Sequence, residues 1–360
     1  MDAIKKYSSF LIVALAILIV GWLLTKESGG PKENFDSAAK SAFESCRDLM
    51  QKETCYAKYF ENLTNNTDRD YAFNVLRTLQ KLDPEARGCH FIAHSITTAE
   101  TRKDPTRWRE LMNTAPSDCS YGAVHGALEV YASTFPNGKL PKEEIPSLCN
   151  NPDKNNCTHG LGHILLVINE NNIPESLRDC KTLPHDKLSV FECLTGVFME
   201  RSTAANLVTH GLAGPEALDW PRRLPETIAL CRTYSGIDGV ACWKETVHVA
   251  LVAFNNDFQK LAEMCESASE EEETRECIDH AIGVAAGSLS FDFTKTKAIC
   301  DTRVKAADFK DRCYANLVSS TLSTIPQEKP AAQAFCSSLE PAYQRSCFQA
   351  LSYFRPTTGD

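Results

Sequence analysis

The sequence predicts an all-α fold of about nine αα-hairpin repeats of about 35 residues, stacked into a curved superhelix or an α/α toroid. Three observations predict it. Cysteines recur at a nearly constant period, most other cysteines lie shortly before a member of that series, and the apolar residues have helical spacing without strand-like alternation. Each repeat is therefore expected to hold a helix A and a helix B, with a disulfide across the turn between them.

The cysteine series has nine members, separated by 34, 30, 38, 36, 49, 35, 36 and 34 residues. These are Cys55, Cys89, Cys119, Cys157, Cys193, Cys242, Cys277, Cys313 and Cys347. The other seven each lie 8 to 13 residues before a member, and only Cys89 and Cys119 lack such a partner. Local pairing, with those two bonded to each other, predicts eight disulfides: Cys46/Cys55, Cys89/Cys119, Cys149/Cys157, Cys180/Cys193, Cys231/Cys242, Cys265/Cys277, Cys300/Cys313 and Cys336/Cys347. Such pairing indicates an oxidising compartment, periplasmic or extracellular.

The amino-terminal segment predicts a single membrane anchor. Lys5 and Lys6 precede an apolar run over residues 10–24, which with its flanks is long enough for one transmembrane helix. The cationic head places the amino terminus inside, so the rest of the chain lies outside. We therefore divide the chain into a signal anchor at residues 1–26, a linker at 27–38 and a disulfide-stapled repeat domain at 39–355.

Residues 261–291 show the plan of one repeat. An apolar-periodic stretch ends at Cys265, a polar stretch follows, and a second apolar-periodic stretch begins at Cys277. Carboxylates favour the positive amino-terminal end of a helix, so we interpret the acidic run 270–273 as a cap of helix B rather than a metal site. The longest step of the series holds an insertion rich in glycine and proline, which predicts a surface loop or short extra helix at residues 209–225.

Histidines cluster at one position of the repeat. His94, His125, His163 and His248 stand six residues after a series cysteine, or one residue earlier, and two of them follow another histidine by four residues. Side chains four apart lie on one helix face, so each such pair presents two imidazoles together. The pattern predicts a metal or cofactor site formed by His90, His94, His125, His159 and His163, with His248 and Glu61 as additional candidates.

Two questions about these histidines stay open in the sequence. Imidazole suits zinc, copper and iron, so the residue type does not choose among these three metals. Equivalent side chains on helices about 8–10 Å apart are too distant to share one ion, in which case the histidines would be structural or would contact another ligand. The disulfides account for every cysteine, and His185 and His210 stand in turn-like surroundings that favour the surface.

Glycines accompany the histidines. Gly122, Gly160 and Gly196 each stand three residues after a series cysteine, and Gly126 and Gly162 stand beside histidines. Glycine within a helix costs about 0.5–1 kcal/mol relative to alanine. We therefore expect close packing of neighbouring B helices, or close approach of a ligand to the backbone, at these positions.

The period and cysteine placement over residues 39–353 resemble those of disulfide-stapled αα-hairpin repeat proteins related to tetratricopeptide arrays. That class implies a curved scaffold whose concave B-helix surface binds peptides, proteins or small ligands. The Gly-x-x-His-Gly of residues 122–126, echoed at 160–163, is similar to motifs that open the inner helices of the α/α-toroid lanthionine cyclases. Because every cysteine here is paired, this likeness implies geometry rather than that family's zinc chemistry: in a closed array the B helices and their histidines would converge.

The sequence thus predicts a membrane-anchored extracytoplasmic repeat protein that binds a ligand or protein partner on its histidine-lined B-helix face. The alternative is a metal- or cofactor-dependent enzyme, or an electron-transfer protein, that uses the histidines of the second to fourth repeats. Whether the protein is an enzyme stays open. The net charge of −9, from 38 basic and 47 acidic residues, gives no reason to expect nucleic acid as a partner.

Overall fold

The computed structural model describes residues 35–49, 52–116, 118–135, 140–149, 154–184, 186–203 and 213–354. Within these ranges the chain forms α-helices joined by turns and short 3₁₀ segments, and no strand. None of the helices in these ranges is both long and apolar enough to cross a membrane. The predicted anchor lies outside the described residues, as do His185 and His210.

The described helices fall into two alternating sets, as successive αα-hairpins require. The A helices are α1 (Phe35–Cys46), α3 (Arg69–Leu82), α5 (Trp108–Asn113), α7 (Ile145–Leu148), α9 (Ile173–Lys181), α11 (Trp220–Cys231), α13 (Phe258–Cys265), α15 (Phe293–Thr296) and α17 (Lys329–Ser338). The B helices are α2 (Lys52–Asn66), α4 (His90–Lys103), α6 (Gly122–Ser133), α8 (Lys154–Ile168), α10 (Lys187–Ser202), α12 (Gly236–Ala253), α14 (Glu271–Ser288), α16 (Phe309–Thr324) and α18 (Pro341–Tyr353). Each B helix packs against the next B helix along the chain.

Eight disulfides staple this array, and they join the eight pairs that the cysteine spacing predicts. Seven of them hold the end of an A helix, or the turn after it, against the following B helix. The eighth, between Cys89 and Cys119, joins the starts of α4 and α6. A set of this size indicates an oxidising, extracytoplasmic compartment.

Several B helices begin earlier than expected. The sequence predicts that each starts at its series cysteine, but α14 starts at Glu271, six residues before Cys277. The reason is the cap: the Glu273 carboxylate accepts hydrogen bonds from the backbone N–H groups of Ser269 and Glu270, at 3.1 Å each. The acidic run is therefore a helix cap, as predicted.

The proline-rich insertion is shorter than predicted in its described part. A 3₁₀ turn at Pro215–Leu218 supplies the short extra helix, but α11 already begins at Trp220 and includes Pro225. Pro221 lies in the first turn, where its missing N–H removes no helical hydrogen bond, and Pro225 removes only one. Proline near a helix start therefore does not end the helix.

Contacts across more than two hundred residues link early and late parts of the array. Arg87, between α3 and α4, donates to the backbone oxygen of Ser290 at 3.3 Å and forms an ion pair with Glu328 at 3.1 Å. Ser120, just before α6, contacts the Thr324 hydroxyl at 3.0 Å. The stretch from α4 to α16 therefore has its two ends in contact.

The apolar core has two parts. One surrounds Tyr56, Phe60 and Phe73 in the first hairpins, and the other runs through the later hairpins around Phe198 and Trp243. Both lie between neighbouring helices rather than at a single centre, as expected when each repeat buries its apolar face against the next.

Two candidate metal centres

Three of the predicted histidines converge, two from α8 and one from α6. Ligand nitrogens of His125, His159 and His163 lie within 4.8 Å of one another. His159 and His163 are four residues apart on one face of α8, and their Nε2 atoms are 3.2 Å apart. The His125 ring lies 5.1 Å from the His163 ring, between centroids. We call these three residues the first cluster.

Glycines bring the helices of the first cluster together. A Cβ atom at Gly162 would lie 2.1 Å from the Cys193 backbone oxygen, and one at Gly196 would lie 2.0 Å from that of His159. A Cβ at Gly160 would lie 2.7 Å from the His125 ring. No side chain fits at these distances, so the structure shows the close helix packing that the glycines predict. This packing lets imidazoles on successive helices meet, although helices usually lie about 8–10 Å apart.

The outer nitrogens of His159 and His163 are held by α10. His163 Nδ1 lies 2.9 Å from Glu200 Oε2, and His159 Nδ1 lies 2.9 Å from Thr195 Oγ1. A carboxylate only accepts, and the Thr195 hydroxyl already donates to the backbone oxygen of Glu192 at 2.8 Å. Both Nδ1 atoms therefore donate, and the Nε2 atom of a neutral imidazole held in this way carries a lone pair. Such outer hydrogen bonds are typical of metal-binding histidines.

Burial keeps the imidazoles of His125 and His159 neutral. It lowers the pKa of His125 and His159 well below the ordinary value, and neighbouring histidines lower it further. The Nε2 atom of His159 thus faces that of His163 with a lone pair and no proton on His159 Nε2. A metal ion between the two Nε2 atoms would bind that lone pair.

Met199 adds a fourth donor to the first cluster. Its Sδ lies 3.3 Å from His159 Nε2. Met199 stands six residues after Cys193, the same repeat position as His125 and His163, so the sequence held this signal. The set of predicted ligands does not include Met199, because it rests on the histidines and Glu61.

The other predicted site residues have different partners. His90 lies beside the His125 ring, but it is not among the residues whose ligand atoms lie within 4.8 Å of one another, and burial lowers its pKa to about 3. His94 Nε2 lies 3.0 Å from Glu129. Glu61, a further candidate, forms an ion pair with Arg102 at 3.1 Å. The structure therefore does not bring these three candidates into the first cluster.

His248 belongs to a second cluster, with Glu245 on the same helix and His280 on the next. His248 and His280 have their Nε2 atoms 3.2 Å apart. Glu245 Oε2 lies 3.3 Å from His248 Nε2 and 3.7 Å from His280 Nε2. Burial opposes ionisation of Glu245, but His280, His248 and Lys244 together lower its pKa below the ordinary value. Burial lowers the pKa of His280 to about 3.

No family model matches the chain, and it shows no significant similarity to a curated protein or a solved structure. The function must be argued from the two clusters.

The sequence contains a pattern that would have predicted the second cluster. Glu245 stands three residues after Cys242, and His280 stands three residues after Cys277, so they occupy the same position of neighbouring repeats. Glu245 and His248 are three residues apart and share a helix face. A prediction from histidines six residues after a series cysteine includes neither Glu245 nor His280.

Proposed function

We propose that this chain is a metal-binding protein of an oxidising, extracytoplasmic compartment, and that its first cluster holds a transition-metal ion. The observation that carries the proposal is the 3.2 Å separation of the Nε2 atoms of His159 and His163, whose Nδ1 atoms both donate elsewhere. A tetrahedral site with bonds of about 2.0–2.1 Å places donor atoms about 3.3–3.4 Å apart. The two imidazoles therefore stand where one ion would hold them.

Met199 favours copper among the three metals that the sequence leaves open. A thioether is a soft ligand that selects Cu(I), and imidazole also suits copper. With a metal–sulfur bond of about 2.3 Å, a tetrahedral site separates sulfur from nitrogen by about 3.5 Å. The observed 3.3 Å is close to that value. Three imidazoles and one thioether fill four positions, which favours metal binding or electron transfer over catalysis at this cluster.

Two further parts of the proposal concern the whole chain. The anchor at residues 1–26 would hold the repeat domain at the outer face of a membrane. The contacts of Arg87 with Ser290 and Glu328 support a closed α/α toroid with the B helices on the inside. Protease accessibility of the repeat domain in intact cells tests the anchor, because a domain protected from external protease would contradict the outside orientation.

A cavity beside the first cluster supports a second candidate function, the binding of a small ligand on the B-helix face. It measures about 260 Å³, and its lining includes His163, Arg102, Glu129, Val130 and Ile164. A lining that combines charged and apolar side chains suits a small molecule with a charged end. Val130→Trp would fill the cavity. A small molecule that co-purifies with the wild-type protein and also with this variant would therefore bind somewhere other than the cavity.

Metal analysis of protein purified without a histidine tag tests the proposed function. We expect one copper ion bound by the first cluster, and an affinity more than about 100-fold lower in His163→Ala, since loss of outer partners alone lowers metal affinity by about 10–100-fold. His94→Gln is the matched control. The sequence predicts His94 as a ligand, but the structure places it outside the first cluster, so this change should leave the copper affinity unchanged. Wild-type affinity in His163→Ala would refute the proposal.

A further inference from the structure

The three donor atoms of the second cluster are spaced as ligands of one small cation. The two Nε2 atoms of His248 and His280 are 3.2 Å apart, and Glu245 Oε2 lies 3.3 Å and 3.7 Å from them. A tetrahedral site with bonds of about 2.0–2.1 Å requires separations of about 3.3–3.4 Å. The observed distances bracket this value, so α12 and α14 need no rearrangement to bind an ion.

Glu245 has a buried oxygen aimed into this cluster without a donor. Its side chain is 1% exposed, and within the described part of the chain Oε2 accepts no hydrogen bond. His248 Nε2 lies 3.3 Å from this oxygen, but the two atoms are not oriented to form a hydrogen bond. The Lys244 amine lies over the Phe191 ring, 5.1 Å from its centroid. An unpaired buried carboxylate oxygen costs free energy, which a bound cation would offset.

The donor set differs from that of the first cluster. Two imidazoles and one carboxylate, without sulfur, form the set that holds zinc in sites with three protein ligands and a water. The same set also binds ferrous iron, another divalent cation. The His248 and His280 side chains are 22% and 25% exposed, against 7% for His163, so solvent reaches the second cluster more readily.

We propose that Glu245, His248 and His280 form a second metal site, which takes a divalent cation of the zinc class and leaves one coordination position open to water. The site shares no residue with the first cluster and does not rest on the function proposed for it. A water bound to zinc at such a position has a lowered pKa, so this site, rather than the first, is the place where the protein could activate water.

Zinc titration of metal-stripped protein tests the second site. In His163→Ala, which disables the first cluster, we expect one zinc ion per chain. Adding Glu245→Gln should lower the zinc affinity more than about 100-fold, whereas adding Glu276→Gln, a carboxylate nearby on α14, should not change it. Equal affinity with and without Glu245→Gln would overturn the site. Glu245→Gln alone should keep copper at the first cluster, so failure of one proposal is distinguishable from failure of the other.

A second measurement leaves Glu245, His248 and His280 unchanged and so does not depend on how their variants fold. X-ray absorption of zinc-loaded His163→Ala should show only nitrogen and oxygen ligands, with two imidazoles. A sulfur ligand or a third imidazole would overturn the assignment. With cobalt in place of zinc, added azide should change the visible spectrum if a coordination position is open, and an unchanged spectrum would contradict the open position.

Discussion

At the residue scale, the geometry of the first cluster depends on two glycines, which have no side chain to hold the helices apart. Gly162 and Gly196 let α8 and α10 approach until backbone meets backbone, and the α10 residues that orient the histidines follow from that approach. The helical cost of glycine is thus offset by helix packing. Glycine, rather than histidine alone, determines whether these imidazoles form a site.

Replacing Gly196 by alanine tests this dependence. The new Cβ would lie 2.0 Å from the His159 backbone oxygen and 3.0 Å from the Gly162 Cα, so the helices must separate. Overpacking of this kind costs about 1–3 kcal/mol, and copper affinity should fall with it. Denaturant unfolding and copper titration measure the two effects. Gly287→Ala is the matched control: its Cβ would meet only the Phe291 ring, at 3.5 Å, so stability should hold or rise. Equal behaviour of the two variants would contradict the role of close packing.

Some residues of the first cluster could be predicted from the sequence, and others could not. His125 and His163 were recognisable because they share a repeat position, and His159 because it stands four residues before His163 on the same helix face. Glu200 and Thr195 were not, because their role depends on which face of α10 meets α8. His94 was assigned to the site by its spacing, yet its nearest charged partner is Glu129. Spacing predicts a shared helix face but not the partner across it.

At the element scale, three B helices end in the same turn, which the sequence does not mark with glycine. Two consecutive residues have left-handed φ angles between 52° and 67°, and an Asn or Asp then caps the next A helix. The pairs are Glu170/Asn171, Asn255/Asn256 and Ser290/Phe291. The helices themselves were predictable from apolar periodicity and the cysteine pairs. This turn was not, since glycine or asparagine is usual at such angles and Glu170, Ser290 and Phe291 are neither.

Replacing Glu170 by glycine should stabilise the protein. A left-handed residue with a Cβ costs about 1–2 kcal/mol, which glycine avoids at the expense of a more flexible unfolded chain. Glu170 is exposed and has φ 54°, so we expect a net gain of about 0.5–1 kcal/mol in the free energy of unfolding. Urea denaturation measures it. Asn171→Gly should gain less, because asparagine tolerates this conformation, and a loss of stability in Glu170→Gly would show that the turn relies on the glutamate side chain.

At the scale of the whole molecule, all seven histidines in the described part of the chain lie on B helices, in two groups on either side of α10. The charge of Glu245 on α12 raises the pKa of His159 on α8, and that of Lys244 lowers it, although burial remains the main cause of the shift. The contacts between Arg87 and Ser290 and between Ser120 and Thr324 span more than two hundred residues. Local sequence patterns do not predict such contacts. The sequence therefore does not decide between an open solenoid and a closed toroid.

Gathering neutral histidines has a consequence for acid stability. His90 and His280 have a pKa of about 3 in the folded chain, and those of His125 and His159 are also lowered, chiefly by burial. In the unfolded chain each would have a pKa near 6.5. The unfolded chain therefore binds more protons below that value. The free energy of unfolding falls as the pH falls below about 6.5, and keeps falling toward pH 3.

We expect metal-free protein to lose about 1.4 kcal/mol per pH unit for each such histidine below pH 6.5, and to change little between pH 7.5 and 6.5. Asp279 acts in the opposite direction, because burial raises its pKa to about 6 and its protonation restores stability as the pH falls. Burial also raises the pKa of Glu53, to about 7, and the pKa of Glu192, so three carboxyl groups oppose the four histidines. Urea midpoints at pH 7.5, 6.5 and 5.5 measure the dependence, and His280→Gln should reduce the slope by one histidine's share. A midpoint that stays constant or rises from pH 6.5 to 5.5 would show that the buried imidazoles take up protons without unfolding, and that their surroundings are more polar than this packing of helices implies.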